Sequence, residues 1–228
     1  MHIPDGFLNS SLSGGLLASA LGMLGFCLGR VLQIATTFAD VPVGNNGNTS
    51  AGFCESGLSN NAGKYFQKLT IAALWIFAFQ MFNIPIQSAT SAHPIGGVFA
   101  AVLAGPSAGF LIISSVLTVQ SLFFADGGIL SLGANIFNMA FVGSFLPYYI
   151  YKVLSEKNYH LAIMAACFFS VLAATLSCLI ELDISETVSF TTAFKDMMSL
   201  HLIVTLLETV TTMALLKAFK NLAENKNE

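Results

Sequence analysis

Long apolar runs separated by short polar breaks set the pattern of this chain. The first run covers residues 12–35. A stretch rich in Asn and Gly, VPVGNNGNTSAGFCESGLSNNAG (41–63), follows it and reads as a flexible loop. Residues 66–83 are apolar again and end at IPIQSATSAHP. Residues 95–125 are apolar throughout, yet Gly105-Pro106 interrupts them. Proline removes a helix hydrogen bond and disfavours helical backbone in the residue before it. The run therefore divides into a short helix, 95–104, and a full one, 107–125. Runs at 134–154, 160–182 and 197–219 complete the set. About 20 apolar residues span a bilayer. The pattern predicts an all-α polytopic membrane protein of seven transmembrane helices, one of them short. They form a single domain over 1–228, without an internal repeat.

The basic residues orient these helices, because Lys and Arg favour the cytoplasmic side. With the amino terminus outside, Arg30, Lys64 and Lys68 flank the first inner loop. Lys152 and Lys157 fall in the third inner loop, and Lys217, Lys220 and Lys226 at an inner carboxyl end. Only Lys195 of the nine positive charges stays outside. Without the break at Gly105-Pro106, Lys152 and Lys157 would fall on the wrong side.

Composition agrees with a lipid solvent. Charged residues make up 9% of the chain, against about a quarter in soluble domains. A net charge of -3 and the lack of a basic cluster speak against a nucleic-acid partner. No Lys or Arg precedes the first apolar run, unlike the start of a secretory signal. Cys27, Cys54, Cys167 and Cys178 show no metal-ligand spacing. Three of them lie in apolar runs, where a free thiol acts as a small hydrophobe. Small residues recur at spacings of four in the first helix, at Gly14, Ala18 and Gly22 and at Gly25 and Gly29. Such spacing lets helices approach closely in lipid, and packing within the chain is the expected use.

Chemistry concentrates at the amino terminus, MHIPDGFL. The α-amine of Met1, the deprotonated amide nitrogen of His2 and its Nδ1 close a five-membered and a six-membered chelate ring. Three nitrogens then lie in one plane with a fourth corner open. Tetragonal nitrogen donors suit Ni(II) or Cu(II). Pro4-Asp5-Gly6 has turn chemistry that folds the terminus back. His93, in TSAHPIGG, lies in an outer loop by the threading above and supplies a fourth nitrogen. His160 falls at the inner end of its helix, away from the site. His201 reads as a packing or hydrogen-bonding residue. Glu208 lies mid-span, where an ionisable group is costly and is either functional or a structural hydrogen-bond partner. Asp126, Asn135 and Asn138 read as anchors for the outer loops.

Three stretches resemble one known family. MHIPDGFL, TSAHPIGG with the following AAVLAGPSAG, and FADGGILSLGANIFNMAFVG are similar to the CbiM/NikM family, the substrate-binding membrane components of cobalt and nickel energy-coupling-factor (ECF) transporters. The resemblance runs in order over most of residues 1–150. It continues more loosely through HLIVTLLE, His201 to Glu208. Ala92 departs from the family pattern, which has glycine before the histidine. The resemblance implies seven helices and Ni(II) or Co(II) as transported substrate, held by Met1, His2 and His93. It implies a transmembrane coupling subunit, a pair of cytosolic ATPases and room for a small accessory membrane subunit, in a prokaryotic plasma membrane. The chain has no GxxxxGK[ST] loop, which agrees with ATP hydrolysis on separate chains. Two other classes compete. A stand-alone secondary metal transporter needs ionisable groups along an intramembrane path, and Glu208 is the one candidate. A membrane metalloenzyme needs an open coordination position, which four planar nitrogens do not leave.

Overall fold

The apolar run 95–125 breaks where the proline predicts. In the computed structural model, which describes residues 2–39, 54–86 and 90–224, helix α3 (Gly97–Ala104) stops at Gly105. Helix α4 (Pro106–Phe123) restarts with the proline in its first turn, a position whose N–H has no helical partner in any case. The other helices are α1 (Ser10–Ala39), α2 (Cys54–Gln80), α5 (Leu132–Ile136), α6 (Leu146–Ser155), α7 (Tyr159–Ile184) and α8 (Phe190–Glu224). A π-helical segment (Phe137–Phe145) joins α5 to α6 without a gap, so the described residues form seven helical rods. Among the described residues four stretches are long and apolar enough to cross a membrane: Ser10–Thr37, Pro106–Phe123, Tyr159–Ile184 and Phe190–Asn221.

Three expectations change. The expected loop 41–63 is helical from Cys54 onward, and its residues 41–53 lie outside the described residues. Hydropathy marks where a helix becomes apolar; the helix itself satisfies its backbone internally and continues through polar residues. The fold is also not wholly helical. β1 (Ile84–Ile86) pairs antiparallel with β2 (Thr90–Ala92), with Pro85 opposite Ser91. Pro85 cannot continue α2, since it has no N–H and fits extended edge backbone instead. Finally, the small-residue stripe of α1 does not pack within the chain. Gly14, Ala18, Gly22, Gly25 and Gly29 are exposed, and a Cβ at any of these glycines would touch nothing.

The short α3 is the centre of the molecule. Val98, Phe99, Ala100 and Ala101 are fully buried, among α4, the π segment and α8. The Ser144 hydroxyl of the π segment donates to the Gly97 carbonyl at 2.9 Å. Ser170 of α7 donates to the Gly143 carbonyl at 2.5 Å. Cys27, Cys167 and Cys178 are buried free thiols. A second, smaller apolar cluster joins Ile3 to Ala134, Cys178, Leu182 and Met197. It fastens Ile3, Phe7 and Leu8 to one end of the bundle, where His93, Asp126 and Thr187 also lie.

Candidate metal centre

The chain's first residues are held by their backbone. Ile3 is fully buried. Its N–H donates to Asn135 Oδ1 at 2.8 Å. Its carbonyl accepts from Asn135 Nδ2 at 3.2 Å, from the Ser131 hydroxyl at 2.5 Å and from the Gly128 N–H at 3.1 Å. The Asp5 carboxylate accepts from the N–H groups of Leu130 at 2.8 Å, Ile129 at 3.2 Å and Ser131 at 3.3 Å. These amides precede α5, and an anion is favoured at a helix start. Gly128 has no room for a side chain, since a Cβ there would run into Asp5. The turn read from Pro4-Asp5-Gly6 is present, with Gly6 at φ +85°. Further along, Thr187 donates to the Phe7 carbonyl at 2.9 Å.

This clasp presents His2. His2 is 3% exposed and His93 1%, with ring centroids 4.6 Å apart and planes at 51°. The two histidines that sequence placed on one side thus meet, while His160 is exposed at the start of α7. His2 Nδ1 lies 2.6 Å from Asp126 Oδ1. Asn83 Nδ2 donates to the same oxygen at 3.3 Å. Backbone strain supports the carboxylate: Ala125 has φ +52° and Gly127 φ +83°. Left-handed backbone at a non-glycine residue is costly and clusters at functional sites.

His93 Nδ1 lies 3.0 Å from the Pro94 carbonyl, and His201 Nδ1 2.6 Å from that of Met197. Carbonyls and carboxylates accept and do not donate, so in all three histidines the proton sits on Nδ1. Nε2 of each is then a bare lone pair. All three Nε2 atoms are buried without a hydrogen-bond partner. A buried, unpaired nitrogen is costly unless something else uses it. Burial pushes His2 below its ordinary pKa, against the opposing hydrogen bond from Asp126. Burial pushes His93 well below its own, and neighbouring positive charge adds to the effect. Both rings are therefore neutral, the form that binds metal.

Glu208 carries the other half of the mounting. Its carboxylate accepts from the Ile95 N–H at 2.8 Å and from the Gly96 N–H at 2.9 Å, at the start of α3. Gly96 has φ +72°, and a Cβ there would come within 2.8 Å of Ile76. The structure thus assigns Glu208 the hydrogen-bonding role. Asp126 and Asn135 anchor the outer loops as expected. Asn138 does something else: its Nδ2 donates to Glu181 Oε2 at 2.7 Å. Glu181, 5% exposed, escaped the sequence reading. It ends the run 160–182 beside Asp183 and Glu186 and reads as one of several interfacial acids.

Two features bear on metal chemistry. Among the described residues no three His, Cys, Asp or Glu are already spaced to hold an ion. The expected donor set draws two of its four nitrogens from the main chain, and Met1 lies outside the described residues. The chelate also needs His2 Nδ1, which here faces Asp126. Closing it exchanges that hydrogen bond for a metal bond. The approach is open, for a cleft of about 500 Å³ bordered by His2, Asp5, Asn83, Ser91 and Asp126 leads to the ring.

Comparison with known proteins gives the family and the fold. A family model described as the cobalt uptake substrate-specific transmembrane region, CbiM, matches residues 2–225. A putative fused nickel transport protein NikMN of Archaeoglobus fulgidus is 36% identical over 194 residues, covering 83% of this chain and 55% of that protein. A probable fused nickel transport protein LarMN of Lactiplantibacillus plantarum is 32% identical, over 84% of this chain and 51% of its own length. The chain therefore spans about half the length of these fused relatives. A crystal structure of a transition metal transporter superposes with a TM-score of 0.79 at 27% identity, covering 98% of this chain and 94% of the other. The chain belongs to the CbiM family of cobalt-uptake substrate-specific transmembrane proteins.

Proposed function

We propose that this chain captures Ni(II) or Co(II) as the substrate-specific component of an ECF-type, ATP-driven uptake transporter in a prokaryotic plasma membrane. The ligands are the Met1 α-amine, the amide nitrogen and Nδ1 of His2, and Nε2 of His93. The observation that carries this is the clasped terminus, which buries a neutral His2 against a neutral His93 whose Nε2 has no other partner. The chain is a transporter subunit, and ATP is hydrolysed on partner chains beside a transmembrane coupling subunit. The stand-alone secondary transporter loses the candidate that sequence offered it, because Glu208 is committed to the α3 backbone. Metal content of purified protein with a native terminus, against protein stripped with a chelator, tests the central claim. About one Ni(II) or Co(II) per chain is expected.

In this reading all seven rods span the bilayer, and the end that carries His2 and His93 faces outward. The eight-to-one distribution of positive charge supports this orientation. Single cysteines at residues 90 and 157 report it. Position 90 is expected to react with a membrane-impermeant maleimide in intact cells, and position 157 only after lysis. The reverse pattern overturns the orientation.

Metal capture also has a pH signature. An α-amine has a reference pKa near 8, and both it and the His2 amide lose protons on binding. Affinity should fall steadily as pH drops from about 8 towards 5, with proton release on loading. Burial holds His2 and His93 below their ordinary range, so the two rings join the competition only in the lower part of that window. Metal titrations across the range check this; a flat affinity indicates carboxylate ligands instead.

A further inference from the structure

Below the clasp lies a second buried polar site. Asn135 holds Ile3, and Asn138, three residues on and on the same face of the rod, holds Glu181. The two contacts are one helical turn apart, about 5 Å along the rod axis. Asn138 is fully buried and Glu181 is 5% exposed. Asn138 stands in the π-helical segment, a distortion often found at functional sites.

The hydrogen bonding of this pair is incomplete in a telling way. Asn138 Nδ2 donates to Glu181 Oε2 at 2.7 Å. The remaining two oxygens, Glu181 Oε1 and Asn138 Oδ1, are buried and have no partner. Both are acceptors, so neither can satisfy the other as drawn. No Lys or Arg ion pair reaches Glu181 among the described residues. The titratable neighbour is Cys178, one turn earlier on α7, and a thiol offers no positive charge. An unpaired carboxylate in such a place is expensive. One proton repairs both defects. Placed on Glu181 Oε1, it makes a hydroxyl donor, and Asn138 Oδ1 accepts from it. The pair then closes as an acid–amide ring with two hydrogen bonds, and both orphan oxygens are used.

We propose that Glu181 and Asn138 form a proton-binding site one turn along the rod from the Asn135–Ile3 contact of the clasp, occupied in the metal-free and the metal-loaded protein. Its consequence for the metal rests on the proposed function. The neutral pair keeps a hard carboxylate ligand, on the rod that also holds the clasp, from competing with the nitrogens. Asp126 is then the carboxylate that an entering cation meets. The nitrogen set holds the ion at the terminus rather than losing it to an inner oxygen site.

The two states of Glu181 make opposite demands on Glu181→Gln. Glutamine is isosteric with the neutral acid: its amide donates to Asn138 Oδ1 and its carbonyl accepts from Asn138 Nδ2. For a neutral Glu181 the substitution is quiet; for a counter-charge to the metal it is not. The experiment is an infrared difference spectrum of full-length wild type minus Glu181→Gln, metal-free and Ni(II)-loaded. A carboxylic-acid C=O band, shifted in deuterated water, is expected in wild type and lost in the variant. Ni(II) retention should stay within about twofold of wild type, since no ligand or charge is removed. Carboxylate bands in place of the acid band overturn the proposal. So does a fall in Ni(II) affinity of about tenfold or more, which marks a lost counter-charge. An acid band that disappears on adding Na+ also overturns it, because the occupant is then a metal cation. Should Glu181→Gln fail to fold, Asn138→Leu in the wild-type background is expected to shift the same acid band, and an unmoved band counts against the ring. If wild type itself retains no Ni(II), the metal arm falls with the proposed function while the infrared arm still decides the proton.

Discussion

One residue added ahead of Met1 is expected to strip the protein of its metal. The extension turns a basic amine into an amide and places a further peptide unit against the planar site. His2 and His93 stay untouched, so loss of binding isolates the amine as a ligand. The fold has no reason to suffer. Asn135, Ser131 and Gly128 hold Ile3, and the backbone ahead of α5 holds Asp5; none of these contacts involves Met1. Thermal stability of the metal-free protein should therefore stay within experimental error of wild type. The loss of affinity should be at least about 100-fold, above the 10–100-fold typical of groups that only orient ligands. His2→Ala is expected to be equally severe, because it removes the six-membered chelate ring. His93→Ala should be milder, since three chelating nitrogens remain and water takes the fourth corner. Metal retained per chain after desalting, for the native, extended, His2→Ala and His93→Ala proteins, gives the ranking. An extended protein that keeps its metal with an unchanged ligand-field spectrum shows that the Met1 amine is not a ligand; retention with a changed spectrum and one further proton released marks a new chelate from the added amine, two amides and His2 Nδ1.

The parts of this structure that were legible in the sequence share a cause. Apolar run length reports helices, proline reports their breaks, and Pro4-Asp5-Gly6 reports the turn after His2. Gly105-Pro106 separates α3 from α4 where expected, and His93 meets His2. What stayed hidden depends on which atoms face which. The glycine spacing of α1 says that another helix can approach, but not that it belongs to the same chain; the stripe in fact faces outward. Hydropathy cannot separate Glu181 from the exposed acids after it, because burial here comes from the crossing of α7 with the π segment. The hairpin at 84–92 is built from segments of three residues, too short for any period to show. His201 read as a packing or hydrogen-bonding residue, and its Nδ1 does bond the Met197 carbonyl. Only the coordinates show that its Nε2, like those of His2 and His93, is buried and bare.

The second large effect is expected at Glu208, in α8, far in sequence from both His2 and His93. Its carboxylate closes the start of α3 by accepting from Ile95 and Gly96, two and three residues after His93. Three facts make these contacts hard to replace. Glu208 is fully buried, so water cannot take its place. Gly96 is in left-handed backbone against Ile76, so the loop has one way to enter the helix. The Gln80 side chain donates to the Ile95 carbonyl at 2.7 Å, so the same residue is pinned from a second helix. Glu208→Ala leaves two buried N–H groups unpaired, at about 1–3 kcal/mol each, and adds a cavity. A loss of about 3–5 kcal/mol is expected, read as a lower midpoint of thermal unfolding in detergent. Metal retention should fall as well, because the segment that aims His93 is no longer fixed. Glu208→Gln keeps one acceptor oxygen and should recover part of both properties. The ratio between them is informative. If Glu208 only mounts the loop, stability and metal retention return together in the glutamine variant. Should stability return while metal capture stays lost, the charge on Glu208 acts on the cation itself, and its role belongs to transport rather than to the fold.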